Sequence, residues 1–168
     1  MPHEVKTPTV KLMDDVIAMF GDFLRYPLQL QYRYSIEHEN IPHNPIEIQK
    51  SYNRKVIGLG KAKVKSVLIY ADNENVEAFG MGAGLQSGDL WRQYMHTVSA
   101  TIDVQTNVSD SEHDELVADI KNVLKYNRIY GDWVDIVVTG SKNLSGEMRG
   151  RFRTIIDIRG RLYKPEVD

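Results

Sequence analysis

Residues 93–106 read QYMHTVSATIDVQT, and residues 109–128 read SDSEHDELVADIKNVLKYNR. In the first stretch Tyr94, His96, Val98, Ala100, Ile102 and Val104 share one parity; Gln93, Met95, Thr97, Ser99, Thr101, Asp103 and Gln105 share the other. A period of two with the apolar residues on one parity predicts a strand with one face on a core. Its fourteen residues, at about 3.3 Å each, reach about 46 Å, against ~17–20 Å for a typical strand. A strand of that length is expected to overrun the body it belongs to. In the second stretch Leu116, Ile120, Val123 and Leu124 recur at spacings of three and four, the stripe of an amphipathic helix. Ser109 and Glu112 have the capping-box spacing, and Asp110, Glu112, Asp114 and Glu115 crowd the first turns, where the helix dipole favours anions.

Upstream, residues 9–25 place Leu12, Val16, Met19, Phe20 and Phe23 on one helical stripe, with Thr9 as N-cap and Pro27 as the stop. PLQLQYRYSIE at 27–37 alternates as a half-buried strand. Residues 37–55, with two prolines and three asparagines, are expected to form a long loop, and residues 80–90, GMGAGLQSGDL, a flexible excursion. Between them a strand at about 64–71 turns at DNEN into a hairpin return, VEAFG. Downstream of the second helix come WVDIVVTG, the connection SKNLSGEMRG and a last strand. The order predicts an α+β fold: a mostly antiparallel sheet with two helices packed on one face, in a single domain over 1–168.

Composition narrows the function classes. At 168 residues, 42% hydrophobic and 26% charged, the chain reads as a soluble globular protein. No apolar N-terminal region marks a secretory signal, and no apolar run reaches bilayer length, so no membrane partner is expected. The absence of cysteine removes disulfides, thiolate metal sites and a cysteine nucleophile. The glycines of GMGAGLQSG fit neither GxxxxGK[ST] nor GxGxxG. His3, His38, His43, His96 and His113 form no HxxxH or HExxH pattern, and His96 is expected to be a hydrogen-bonded core residue. Asp135 and Lys142 are too loosely placed for a nuclease, and no GxSxG elbow occurs. No enzyme, cofactor or metal is expected.

The net charge of −2 is unevenly spread. Residues 140–164 hold seven Lys or Arg against two Asp or Glu, while the remainder holds 14 against 21. In RGRFRTIIDIRGRLY, at 149–163, Arg149, Arg151, Arg153, Arg159 and Arg161 share a parity opposite to Phe152, Ile156, Ile158 and Leu162. Like charges about 7 Å apart repel by about 0.6 kcal/mol even in water, inside the ~8 Å Debye length. The row therefore either lies along a solvated edge, its stems covering apolar surface, or faces anions. Nucleic acid is one anionic partner, although stacking aromatics are missing from the basic face: only Tyr163 continues the arginine parity. An acidic protein surface is the other, and Asp110, Glu112, Asp114 and Glu115 supply one. A contact between that surface and the row of a second copy is heterologous, and heterologous contacts close into rings when the rotation allows.

The chain resembles the tail terminator and tail-completion (neck) proteins of long-tailed phages and archaeal tailed viruses. The resemblance rests on the N-terminal helix, the loop around NIPHNPIEI, the strand HTVSATIDVQT running into SDSEHDELVADIKNVLKYNR, and the closing pair DWVDIVVTGSKNLSGEMRGRFRTIIDIRGRLY. It implies a structural virion protein, assembled in the host cytoplasm, that forms a ring, commonly a hexamer, at the head-proximal end of the tail. Its partners would be itself, the tail tube protein and the head–tail connector or adaptor, with viral DNA passing through the central hole without specific binding. A head-completion protein of the same neck and a small nucleic-acid-binding module using residues 149–161 are the alternative readings.

Overall fold

A computed structural model of the chain describes residues 7–23, 46–50, 65–79, 91–145 and 150–167. Within these, helix α1 spans Pro8–Phe23, and strands β1 (Ile46–Lys50), β2 (Lys65–Phe79) and β3 (Trp91–Thr106) follow. Helix α2 (Asp110–Tyr126) and strands β4 (Trp133–Asn143) and β5 (Phe152–Val167) complete the order. The five strands form one sheet in the order β1-β2-β3-β5-β4, with β1 parallel to β2 and every other pair antiparallel. Both helices lie on the same face, so the architecture is the expected α+β.

Helix α1 is capped two residues before Thr9. The Val10 amide donates to Thr7 Oγ1 (3.5 Å) and the Lys11 amide to the Thr7 carbonyl (2.8 Å), so Thr7 is the cap. Pro8 takes the first helical position, where its missing N–H costs nothing. Leu12, Val16, Met19 and Phe20 are fully buried, as the stripe predicts. In α2, Ser109 Oγ accepts from the Glu112 amide (3.2 Å) and donates to Glu112 Oε2 (3.0 Å), while Leu116, Ile120, Val123 and Leu124 enter the core.

Two stretches differ from expectation. The expected turn at DNEN does not form: β2 runs straight through it to Phe79, paired with β3 along its length. A register shift between Ala71 and Asn73 absorbs the polar residues as a bulge, because ladder pairing with β3 outweighs the local turn preference of Asp and Asn. Within the expected loop 37–55, IEIQK is β1, with Ile46 buried and Ile48 partly so. Five residues are too few to show a period. The strand expected at 27–37, the stop at Pro27 and the excursion at 80–90 lie outside the described residues.

Strand β3 is sixteen residues long and is paired on both sides, with β2 and with β5. Val98, Ala100, Ile102 and Val104 meet Val67 and Ile69 of β2 and Ile156 and Ile158 of β5 in the core beneath the helices. Before Val98 the three strands continue together, Asn75 opposite Thr97 and Thr97 opposite Arg161. His96 sits at this boundary, buried, its Nδ1 2.9 Å from Glu74 Oε1 on β2.

The helices are fixed to the sheet by close contact at two points. Trp133 lies buried across β5, and its Nε1–H donates to Asp15 Oδ2 on α1 (2.7 Å). A Cβ on Gly160 would come within 2.9 Å of both the Trp133 ring and Leu12 Cδ1, so the side chain is absent where the two close over the strand. The turn into β4 also depends on a glycine: Gly131, at φ 55°, lets the Trp133 amide return to the Tyr130 carbonyl at 3.0 Å. At the second point His113 of α2 is fully buried between Thr106 of β3 (Nδ1 to Oγ1, 2.9 Å) and Thr154 of β5 (Nε2 to Oγ1, 2.8 Å). Burial holds its pKa below the ordinary histidine value, outweighing the attraction of Asp114 and Asp110.

Two measurements test these anchors. Gly160→Ala, which must displace a buried indole, is expected to lower unfolding free energy by about 1–3 kcal/mol. Gly140→Ala, whose new methyl would meet only Asp157 Oδ2 at 3.7 Å, is expected to stay within about 0.5 kcal/mol. For His113 the unfolded chain binds the proton more readily than the folded one. Its contribution is therefore complete above about pH 6.5, the unfolded value, and is lost as pH falls from there towards the lowered folded value. Denaturant midpoints should drop across that window, and His113→Gln should flatten the drop. An equal slope in both proteins would exclude His113 as its source.

Candidate functional site

Strand β5 projects Arg153, Arg159 and Arg161 of the predicted row to the sheet face away from the helices, and Arg151 precedes the strand. Arg149 lies outside the described residues. Arg153 and Arg161 pair with carboxylates of the same chain. Arg153 makes a two-pronged contact with Asp103 of β3, Nε to Oδ1 at 3.1 Å and Nη2 to Oδ2 at 2.8 Å. Asp103 is fully buried and also accepts from the Tyr70 hydroxyl (2.8 Å) and Gln105 Nε2 (3.2 Å). The hydrogen bonds to Asp103 raise the Arg153 pKa, and burial together with the Asp103 carboxylate pushes the Tyr70 phenol up.

Arg161 grips Asp135 of β4 in the same way, Nε to Oδ1 at 2.8 Å and Nη2 to Oδ2. Arg128 Nη2 lies 3.8 Å from the same carboxylate. Hydrogen bonding to Arg161 holds the Asp135 carboxyl below its usual range against the opposing effect of burial, with Arg159 and Arg128 adding to it. Asp157, on the same strand and parity, accepts from the Thr101 hydroxyl at 3.2 Å and separates Arg153 from Arg159. The mutual repulsion of the arginines is thus answered within the sheet by Asp103, Asp157 and Asp135. The Arg159 Nε is buried without a hydrogen-bond partner among the described residues.

The acidic set lies elsewhere. Asp110, Asp114 and Glu115 are exposed at the start of α2, on the helix side of the sheet, and Glu112 is tied into the cap. Within the chain they do not meet the arginine row, which lies on the opposite face of the sheet.

The opposite end of α2 was not marked by the sequence. A groove of about 490 Å³ runs between its C-terminal half and β4, lined by Lys121, Leu124, Lys125, Arg128, Ile136 and Val138 among others. Its apolar floor is Leu124, Ile136 and Val138, of which Val138 is exposed (37%). Among the described residues the outer edge of β4 is unpaired. The cations at 121, 125 and 128 are visible in the sequence, but the strand that turns them into one wall of a groove is not.

Nothing in this geometry resembles a reaction centre. Among the described residues no group of three or more His, Asp or Glu side chains is placed to hold a metal, and no helix is long and apolar enough to cross a membrane. His38 and His43 lie outside the described residues.

The Arg153–Asp103 pair has a direct test. Arg153→Ala leaves a buried carboxylate uncompensated and should cost about 3–5 kcal/mol of stability. Pairing it with Asp103→Leu removes both charges and should recover more than half of that loss. A single variant as stable as the parent by chemical unfolding would show that the pair is idle.

Neither a protein-family model nor a curated protein sequence matches the chain. Among solved structures, the fold is similar to that of a chain in the virion of a native gene transfer agent particle. The TM-score is 0.52 at 11% identity, covering 95% of this chain and 100% of that one.

Proposed function

We propose that this protein is a structural component of a virion, the tail terminator of the head–tail neck, which forms a ring that caps the tail tube and joins it to the connector. The observation that carries this reading is the shared fold with a virion chain over nearly the whole length of both. It agrees with the order of elements on which the resemblance to terminators rests. A β3 paired along all sixteen residues, with its neighbours continuing past the core, also suits a subunit that extends into its neighbours.

A head-completion protein would share the ring and differ in its docking partners. The nucleic-acid module loses support from the engagement of Arg153 and Arg161 by carboxylates of the same chain, which leaves less free charge for phosphate.

Light scattering across concentrations at low and high salt, with negative-stain images of the same samples, tests the reading. Rings of about six 19.3 kDa subunits are expected in solution or on purified tail tubes, and the ring should end tube growth when added during assembly. Growth unaffected by a stoichiometric excess would reject the terminator role. A DNA titration should show only the weak ~10⁻⁴–10⁻⁶ M binding of non-specific contacts. Tighter binding with a steep salt slope would select the nucleic-acid module instead.

A further inference from the structure

We propose that the groove between α2 and β4 receives the acidic first turns of α2 from a second copy of this chain. This rests on the ring reading above and names its subunit contact. The groove has an apolar floor of Leu124, Ile136 and Val138, and Val138 stands exposed. Its rim is cationic: Lys121 and Lys125 make no ion pair or hydrogen bond with another described residue. Arg128 reaches only a carboxylate that Arg161 already holds. An apolar floor with a charged rim has the anatomy of a protein interface.

The occupant is identified by charge. Asp110, Asp114 and Glu115 form an exposed anionic surface at the other end of the same helix. Glu115 and Lys121 lie about 9 Å apart along one rigid helix, so the acidic turns cannot fold back into the groove of their own chain. The contact therefore joins different patches of two copies, the heterologous arrangement that closes into rings. Pairing by strand addition is disfavoured: β4 carries register shifts at Trp133/Asp135 and at Val138/Gly140, which break the flat ladder a further strand would need. Side chains, not backbone, make the joint.

The cysteine-free chain allows a clean test. Lys121→Glu with Lys125→Glu should raise the concentration needed for assembly by roughly tenfold or more, and adding Asp114→Lys with Glu115→Lys should bring it back. In parallel, Asp114→Cys and Lys125→Cys in one otherwise unchanged chain should give a disulfide-linked ladder on oxidation of the assembled protein, and neither single substitution should. Rings that persist in the first double variant, with no ladder from the cysteine pair, overturn this contact and leave the ring reading intact. A parent protein that forms no ring at any concentration, nor on tail tubes, overturns both.

Discussion

Strand β3 has to satisfy two faces at once, and the rest of the molecule follows from how it does so. Both of its edges are taken by antiparallel partners, β5 along the whole strand and β2 from Gln93 to Thr106. One face, Val98 to Val104, is apolar and draws both helices onto it. The other carries Thr101, Asp103 and Gln105, all buried, and polar groups withdrawn from water must find partners. Asp103 finds Arg153, Tyr70 and Gln105, and Thr101 finds Asp157. The sheet is thus held by an apolar layer beneath the helices and an ionic layer on the far side.

That second layer changes the meaning of the arginine strand. An isolated row of cations invites an external anion, whereas a row facing Asp103, Asp157 and Asp135 is largely answered inside the chain. Bidentate geometry with buried carboxylates makes Arg153 and Arg161 parts of the architecture. A second polarised charge pattern lies along α2. Its acidic start and basic end each complement the helix dipole, and together they give one element two opposite, exposed ends. A helix polarised in this way, laid beside an open sheet edge, suits repeated head-to-tail contact between copies.

Local chemistry made much of the fold legible. The period of β3, the capping box at Ser109 and Glu112 and the stripes of α1 and α2 are each written within a few consecutive residues. The failures share a cause. DNEN has turn chemistry but is held straight by β3, and IEIQK is too short to show a period but is paired by β2. Thr7, not Thr9, caps α1 because Pro8 fits the first helical position.

From residue order alone came the α+β class, the two buried helical stripes, the long alternating strand and the absence of any recognised catalytic motif. Those features rest on interactions among neighbours three or four residues apart, or on strict alternation. Which aspartate meets which arginine, that Gly160 makes room for Trp133 and Leu12, and that Lys121 and Val138 line one groove were decided only by the sheet order β1-β2-β3-β5-β4. Register sets those partners across separations of 26 and 50 residues. No local pattern encodes register, because it emerges from packing the whole sheet against its helices.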